Sequence, residues 1–221
     1  MAGTTWTLAI INEKAGLLKD ILKLSQEFPH HDKFVAQLTA LEKAVERARA
    51  ITHRLLGFAR RMDVSLKSVQ LNEVIREVLG FLEKEALYRN IKLDLHLLRD
   101  LPPIKSDPGQ LQQVLLNIIN NAIDAIDKDG NIRITSQQLT ADRVQVDIKD
   151  DGPGMPQQIL PNIFEPFFST KLGEGHGTGL GLSITYGLVK KLGGEIYVES
   201  DEGLGTTFSL VFPIDQQGTG A

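Results

Sequence analysis

The sequence predicts an α+β protein: an N-terminal helical hairpin, half of a dimeric four-helix bundle, followed by an α/β sandwich whose mixed sheet is covered by helices on one face. Three observations predict this fold. Apolar residues follow a heptad repeat in the first part of the chain. Farther on, segments that alternate apolar and polar residues come in adjacent pairs, as antiparallel hairpins do. Helical segments separate those pairs, which favours helices packed on a sheet.

The helical hairpin is predicted over residues 6–64. Apolar or small residues within 34–62 recur at intervals of four and three, and those within 8–25 keep the same spacing. Between them, Pro29 ends the first helix and Asp32 can cap the second. Because two helices bury little surface alone, we expect a second copy of the chain to complete a four-helix bundle. Packing of the hairpin on its own downstream domain is the alternative.

The α/β sandwich is predicted over residues 68–214. One helix is expected after Asn72, which can act as its N-cap. Another begins at Pro108, directly after the capping residue Asp107, and runs to about Ile126. Strands are expected at SVQL and IKLDLHL, and two antiparallel hairpins join NIRITSQQL to RVQVDIKD and GEIYVES to TTFSLVFP.

Composition and charge exclude several classes of protein. The 221 residues include 24 Lys and Arg against 28 Asp and Glu, a net charge of −4, so no nucleic-acid partner is expected. Cys is absent, which excludes disulfides and thiolate metal sites. No apolar run reaches the roughly 20 residues of a membrane span, and MAGTTWTLAII lacks the basic start of a signal peptide. We therefore expect a cytoplasmic portion of a protein, attached to a membrane only through upstream segments, if at all.

Two asparagines stand four residues apart in the apolar helical segment NIINNAIDAI. Asn117 and Asn121 therefore share one face of the helix. A buried amide needs a hydrogen-bonding partner, and its oxygen can bind a hard cation while its NH₂ can bind a phosphate. The alternative is a pair of satisfied surface or capping amides.

Two stretches rich in glycine follow this helix. DDGPGM places Asp150, Gly152 and Gly154 at the exit of a strand. There a carboxylate can accept a hydrogen bond from an exocyclic amine, and the glycines let a planar base approach the backbone; taken alone, the stretch is equally an ordinary turn. GEGHGTGLG, residues 173–181, precedes a helix that begins at about Leu180. Backbone N–H groups and the helix N-terminus would favour an anion there, and a flexible loop is the alternative.

Together these motifs resemble those of the bacterial sensor histidine kinases. The N box, first glycine box, F box, second glycine box and terminal glycine turn of that family correspond to NIINNAIDAI, DDGPG, FEPFFSTK, HGTGLGLSI and GLGTTFSLVFP. The family's ATP-binding domain is of the same superfamily as DNA gyrase B, the mismatch-repair ATPase and the ninety-kilodalton heat-shock chaperone. AVERARAITHRLLGFARR is similar to the second helix of the kinase dimerisation domain, so the resemblance covers about residues 6–214. The FFSTK and NAIDAI forms resemble the nitrogen-regulation subgroup.

The resemblance implies that the ligand is Mg-ATP. It implies that Asp150 accepts a hydrogen bond from the adenine amino group, and that Gly152 and Gly154 line the base pocket. Asn121 is implied as a ligand of Mg²⁺, with Asn117 close to the metal and the phosphates. Further residues implied by the motifs are the phosphate contact Lys171, the lid and helix-start residues Gly177, Gly179, Leu180 and Gly181, and the pocket-closing residues Thr206 and Thr207.

The family's phosphoacceptor motif is missing from the sequence. By register its histidine would fall near Ala2, where no His stands. We expect none of the five histidines to be followed by the acidic residue that would orient and deprotonate it. The chain is interpreted as a kinase core cut just after its acceptor motif and deficient in autophosphorylation. The resemblance further implies a homodimer joined by the hairpin and a response-regulator receiver domain as partner.

Two other functions stay open at this point. One is a dimeric scaffold that binds ATP without turnover. The other is a different ATPase or a serine kinase of the same superfamily, which the hairpin with RLLGFAR disfavours because those relatives lack it. Phosphorylation of an added acceptor domain would separate the kinase from the scaffold.

Overall fold

The chain forms two compact units, Met1–Asp63 and Val64–Ala221. The computed structural model describes residues 2–24, 31–42, 45, 65–170 and 179–215. Among these residues, no helix combines the length and the apolar character needed to cross a membrane.

The first unit contains two helices in its described part. Helix α1 spans Ala2–Leu24, and helix α2 covers 31–42. The Nζ of Lys19 lies 2.7 Å from Oε2 of Glu42, and this ion pair joins the two helices. Ala15 of α1 is buried.

The predicted heptad seam is only partly buried within this unit. Ala15 and Val45 are buried. Larger residues of the seam are exposed, namely Ile11, Leu18, Phe34 and Leu41, and so are Ile10, Leu17 and Ile21 outside the seam. A second copy of the chain would bury such a surface, and the dimer stays a prediction. Asp32 is not the N-cap we expected, because α2 already includes residue 31; Pro29 and the seam beyond residue 45 lie outside the described residues.

The second unit follows the predicted order of helices and strands. Its helices are α3 (Leu71–Tyr88), α4 (Pro108–Ile126) and α5 (Gly181–Lys191), with a short 3₁₀ helix at Leu160–Asn162. Its strands are β1 (Lys67–Val69), β2 (Ile91–Leu97), β3 (Ile104–Ser106), β4 (Gly130–Thr140), β5 (Arg143–Asp150), β6 (Glu195–Asp201) and β7 (Gly205–Pro213).

The main sheet is mixed, which confirms the predicted fold class. Within the described residues its five strands lie in the order β2-β4-β5-β7-β6. The β4–β5 and β6–β7 hairpins are antiparallel, as predicted, and β2 pairs with β4 in parallel. Strand β3, which pairs with β1 in a separate small sheet, was not predicted. At three residues it is too short to display a period of two.

Helices α3, α4 and α5 cover one face of the sheet, with α4 packed against both of the others. The apolar face of α4 supplies much of the core: Leu111, Val114, Leu115, Ile118, Ile119, Ala122 and Ile123 are buried. On β5, Val144, Val146 and Ile148 are buried, and the residues between them are more exposed. This alternation is typical of a sheet with one face packed and the other facing solvent.

Of the two helix caps predicted in the second unit, one is confirmed and the other is wrong. Asp107 accepts a hydrogen bond from the N–H of Gln110 at 3.0 Å, and α4 begins directly after it. Asn72 does not cap α3, because that helix begins one residue earlier. Its buried amide instead donates to the Leu98 carbonyl oxygen at 2.7 Å and accepts from Ser136 Oγ at 2.8 Å. A tertiary contact across the sheet therefore takes the place of a local one.

Candidate functional site

Asp150 ends β5 in a nearly closed environment. It is 4% exposed, and its Oδ1 accepts hydrogen bonds from the N–H groups of Gly152 at 3.0 Å and Thr206 at 3.2 Å. Burial raises the pKa of the Asp150 carboxyl, and these two donors oppose the rise. Its Oδ2 receives no hydrogen bond from any residue that the structure describes. One carboxylate oxygen is thus fixed by the backbone, and the other is available to a donor from a ligand.

Close backbone approaches hold the loop that follows Asp150. Gly154 has a φ of +67°, and a Cβ there would lie 2.0 Å from the Asp201 carbonyl oxygen. Gly205 has a φ of +87°, and a Cβ there would lie 2.0 Å from the Asp150 carbonyl oxygen. At Gly152 a Cβ would lie 2.9 Å from Oδ1 of Asp150. Neighbouring atoms of the chain therefore leave little room for a side chain at 152 and 154. The sequence had suggested a different reason for these glycines, the approach of a ligand.

A buried hydroxyl joins the same segments and was not predicted. Ser200, near the end of β6, accepts a hydrogen bond from the N–H of Met155 at 2.8 Å. Its Oγ also lies 2.9 Å from Oγ1 of Thr206. Close by, Nε2 of Gln157 donates to the Ser200 carbonyl oxygen at 2.8 Å. The sequence gives no signal for this residue, because a serine before a turn is ordinary.

One face of α4 connects two parts of the site. Asn117, Asn121 and Ala125 lie at four-residue intervals along it. Nδ2 of Asn117 lies 3.2 Å from Oγ1 of Thr185 in α5, while a Cβ on Gly152 would lie 3.4 Å from Ala125. Asn121 lies between these contacts, about 6 Å along the helix from each. Its side chain makes no hydrogen bond to the described residues. Its amide is therefore available between α5 and the loop after β5.

Helix α5 begins at Gly181 without a side-chain cap. Leu180 is the buried N-cap residue, and its side chain makes no capping hydrogen bond. Among the described residues, no atom lies within 4 Å of a Cβ built on Gly181, and Nδ2 of Asn117 lies 3.4 Å from the Gly181 carbonyl oxygen. The uncapped N–H groups and the helix dipole favour an anion at this end of α5.

Gly179 packs against the segment that contains Phe167. Its φ is +65°, and a Cβ there would lie 2.4 Å from the carbonyl carbon of Phe167. The N–H of Phe167 donates to the Gly179 carbonyl oxygen at 2.9 Å. Glycine at 179 is therefore required by this backbone contact. Two other residues of the predicted lid region, Lys171 and Gly177, lie outside the described residues.

The two threonines of β7 lie on opposite faces of the sheet. Thr206 is paired with Asp150 across β5 and β7, and it is buried. Thr207 is paired with Lys149 and is half-buried. Because successive strand residues point to opposite faces, Thr206 belongs with Asp150 and Thr207 does not. The expectation that both threonines close one pocket is not met for Thr207.

The expectation that no histidine is followed by an acidic residue is wrong for His31. Asp32 follows His31 directly, and its Oδ1 lies 3.7 Å from Nδ1 of that ring. Nε2 of His31 lies 3.1 Å from the Leu22 carbonyl oxygen, so the ring bridges α1 and α2. His96 lies 3.2 Å from Asp94 on β2. Neither histidine lies at the acceptor register near the start of α1, and the other three are outside the described residues: His30, His53 and His176.

Among the residues that the structure describes, no group of three His, Asp or Glu side chains could hold a metal ion. The hard donor on the α4 face is the amide oxygen of Asn121. Protein sites for Mg²⁺ typically supply one or two ligands and leave the rest to water and phosphate oxygens. The single amide oxygen on this face therefore fits a magnesium ion whose other ligands are water and the phosphate oxygens of a nucleotide.

Comparison with known proteins identifies the family of the chain. Residues 106–216 match the family of histidine kinase-, DNA gyrase B-, and HSP90-like ATPases. Sporulation kinase E of Bacillus subtilis (strain 168) is 34% identical over 183 residues, which cover 83% of this chain. The chain spans only 24% of the length of that relative.

Solved structures similar to the chain include two of histidine kinase ThkA. The catalytic domain of histidine kinase ThkA is 34% identical, with a TM-score of 0.61, and the match covers 68% of this chain and 98% of that one. Histidine kinase ThkA in complex with response regulator protein TrrA is 26% identical, with a TM-score of 0.69, over 98% of this chain and 60% of that one. The chain therefore belongs to the histidine kinase-, DNA gyrase B- and HSP90-like ATPase family, and its second unit contains an ATP-binding domain of the histidine kinase type.

Proposed function

We propose that the chain is the ATP-dependent core of a protein-histidine kinase in a two-component signalling system. The observation that carries the proposal is the buried carboxylate of Asp150, which has one oxygen held by two N–H groups and the other unpaired among the described residues. An exocyclic amine of a base is the donor that such an acceptor lacks. The family supports adenine as that base.

Asp150 accepts a hydrogen bond from the adenine amino group through Oδ2. Gly152 and Gly154 let the loop after β5 approach its neighbours closely, and this approach fixes the N–H that orients the carboxylate. Thr206 supplies the second orienting N–H from β7. These residues together select a base that presents a donor and exclude water from its edge.

The triphosphate lies along α4 toward the start of α5. Asn121 would hold Mg²⁺ through its amide oxygen, and the metal would supply neutralisation of phosphate charge. Asn117 holds the first turn of α5 against α4 through its contacts with Gly181 and Thr185. Further phosphate-binding groups are the N–H groups at Leu180 and Gly181 and the lid residues Lys171, Gly177 and Gly179.

The phosphoryl group goes to a histidine that is not among the five of this chain. The bond between the γ-phosphorus and the bridging oxygen breaks, a bond from phosphorus to the imidazole nitrogen forms, and ADP leaves. Positioning supplies most of the rate in such transfers, so the chain contributes by holding ATP in one orientation. An ATP-binding scaffold without turnover is the alternative, because it would use the same pocket.

The helical hairpin forms the homodimer, and its exposed apolar side chains supply the contact surface. A response-regulator receiver domain receives the phosphoryl group next. The complex of histidine kinase ThkA with response regulator TrrA supports this class of partner. This portion of the protein acts in the cytoplasm.

Calorimetric titration with ADP tests the magnesium site. In the presence of Mg²⁺, Asn121→Ala should weaken ADP binding about tenfold, which corresponds to about 1.4 kcal/mol. With EDTA the wild type and the variant should bind alike, since the lost group acts through the metal. Asn120→Ala is the matched control, because Asn120 is the exposed neighbour on the same helix. A wild-type chain that binds no adenine nucleotide would contradict the proposal, and an Asn121→Ala effect that persists in EDTA would contradict the metal assignment.

A further inference from the structure

The Ser200 hydroxyl lies where three segments of the candidate site meet. Ser200 is 6% exposed. Its Oγ lies 2.8 Å from the N–H nitrogen of Met155, 3.0 Å from the Gly205 carbonyl oxygen and 2.9 Å from Oγ1 of Thr206. Met155 belongs to the loop after β5, and the other two residues begin β7. A single side chain therefore connects both segments that supply N–H donors to Asp150.

The direction of each hydrogen bond follows from what the partners can do. A serine hydroxyl has one proton and two lone pairs. The Met155 N–H can only donate and the Gly205 carbonyl can only accept, so the Ser200 proton points to Gly205. Thr206 must then donate its hydroxyl proton to Ser200. All three hydrogen-bonding positions of the Ser200 hydroxyl are filled, which fixes its orientation.

A second, more exposed set of hydrogen bonds joins the same segments. Nε2 of Gln157 donates to the Ser200 carbonyl oxygen at 2.8 Å and to Oδ1 of Asp201 at 3.0 Å. The N–H of Gly203 donates to the Pro153 carbonyl oxygen at 2.7 Å. Several hydrogen bonds therefore hold the loop after β5 to the β6–β7 turn. Among the groups that make them, the Ser200 hydroxyl is buried.

We propose that Ser200 is a positioning residue for nucleotide binding, which sets the geometry of the Asp150 carboxylate without touching the nucleotide. The inference rests on the proposed function of this site. Its physical basis is that the Gly152 and Thr206 N–H groups, which orient Oδ1 of Asp150, lie in segments that the Ser200 hydroxyl holds together beside the β5–β7 pairing. Loss of that hydroxyl lets the two donors move apart, so that Oδ2 is no longer held in one place.

The test compares Ser200→Ala with Ser136→Ala in the full chain. Ser136 is a matched control: it is a buried serine of the same sheet whose Oγ bonds to Asn72 and to the N–H of Leu98, away from Asp150. Both variants lose hydrogen bonds and should lower the melting temperature by similar amounts. Only Ser200→Ala should raise the Kd for ADP, by about tenfold. It should also speed amide hydrogen exchange at Gly152 and Thr206 in the nucleotide-free chain.

If Ser200→Ala does not fold, Gln157→Ala is the second test variant, because it removes exposed hydrogen bonds between the same two segments. It should raise the Kd for ADP two- to threefold with little change in melting temperature. Equal Kd values for the wild type, Ser200→Ala and Gln157→Ala would overturn the positioning role while leaving the nucleotide site intact. A wild-type chain that binds no adenine nucleotide would instead overturn the proposed function, and the positioning role with it.

Discussion

Replacement of Asp150 by Asn should separate nucleotide binding from folding. The amide oxygen of Asn can still accept the N–H groups of Gly152 and Thr206, which Oδ1 of Asp150 accepts at 3.0 and 3.2 Å. The NH₂ group then stands where Oδ2 was and faces the adenine amino group, donor against donor. Loss of a hydrogen bond to a charged acceptor costs about 1.5–3 kcal/mol. We therefore expect the Kd for ADP to rise roughly 10- to 150-fold.

The same substitution should not destabilise the fold. Burial raises the pKa of Asp150, so the folded state binds its proton more tightly than the unfolded state does. The wild type therefore loses stability as pH rises from the usual carboxyl pKa through the raised one, and that loss persists above it. The amide of the variant has no proton to lose in this range. The melting temperature of Asp150→Asn should therefore rise relative to that of the wild type as pH increases above about 4, and the difference should then level off.

Calorimetry with ADP and thermal melts between pH 4 and 8 measure both effects. Asp151→Asn is the control, because Asp151 is the exposed neighbour whose Oδ1 accepts the N–H of Asn131 at 2.8 Å. It should leave ADP binding within about twofold of wild type. Equal ADP affinity in wild type and Asp150→Asn would refute the adenine contact. A variant that unfolds at pH 7 would refute the argument that the buried charge is a cost to the fold.

Three further outcomes follow from the backbone contacts and the hairpin. Gly154→Ala should lose at least about 2 kcal/mol of stability in denaturant melts, from its positive φ and the 2.0 Å approach to the Asp201 carbonyl oxygen; wild-type stability would contradict the packing account. Gly181→Ala, whose Cβ meets no atom of the described residues within 4 Å, should melt like the wild type, and a large loss of stability would contradict this expectation. Leu41→Asp should dissociate the dimer in sedimentation while leaving the monomer folded, because Leu41 is 44% exposed in the single chain; a wild-type chain that is monomeric at every concentration would contradict the bundle.

Features with local causes could be predicted from the sequence. Asp107 before Pro108 predicted both the start of α4 and its cap, because an N-cap and a first-turn proline act within one turn. The two hairpins were predicted because their strands are adjacent in the chain. Asp150 was singled out because DDGPG stands in order with the other motifs of the family; the stretch alone is equally an ordinary turn.

Features that depend on distant partners could not be predicted. Asn72 has the composition of a cap, yet it bonds across the sheet to Leu98 and Ser136. The parallel pairing of β2 with β4 needs α4 as a crossover, and nothing local encodes that choice. Ser200 has partners 45 residues back along the chain, at Met155, and six residues ahead, at Thr206. Its importance is visible only after the two segments are brought together.

We propose that the chain binds ATP as a kinase core and lacks its own phosphoacceptor. Incubation with Mg²⁺ and γ-labelled ATP, followed by tests of acid and base stability of any label, measures this directly. The chain alone should acquire no acid-labile label, because imidazole must be positioned against the γ-phosphorus. His31 is held instead against the Leu22 carbonyl oxygen.

The decisive comparison uses the same chain with a His-Glu motif added upstream of Leu8 on an extended first helix. This variant should acquire acid-labile, base-stable label, and the same variant carrying Asp150→Asn should acquire much less. Failure of the extended chain to label while it binds ADP would favour the ATP-binding scaffold. Strong acid-labile label on the unextended chain, lost on mutation of one of its five histidines, would contradict the account.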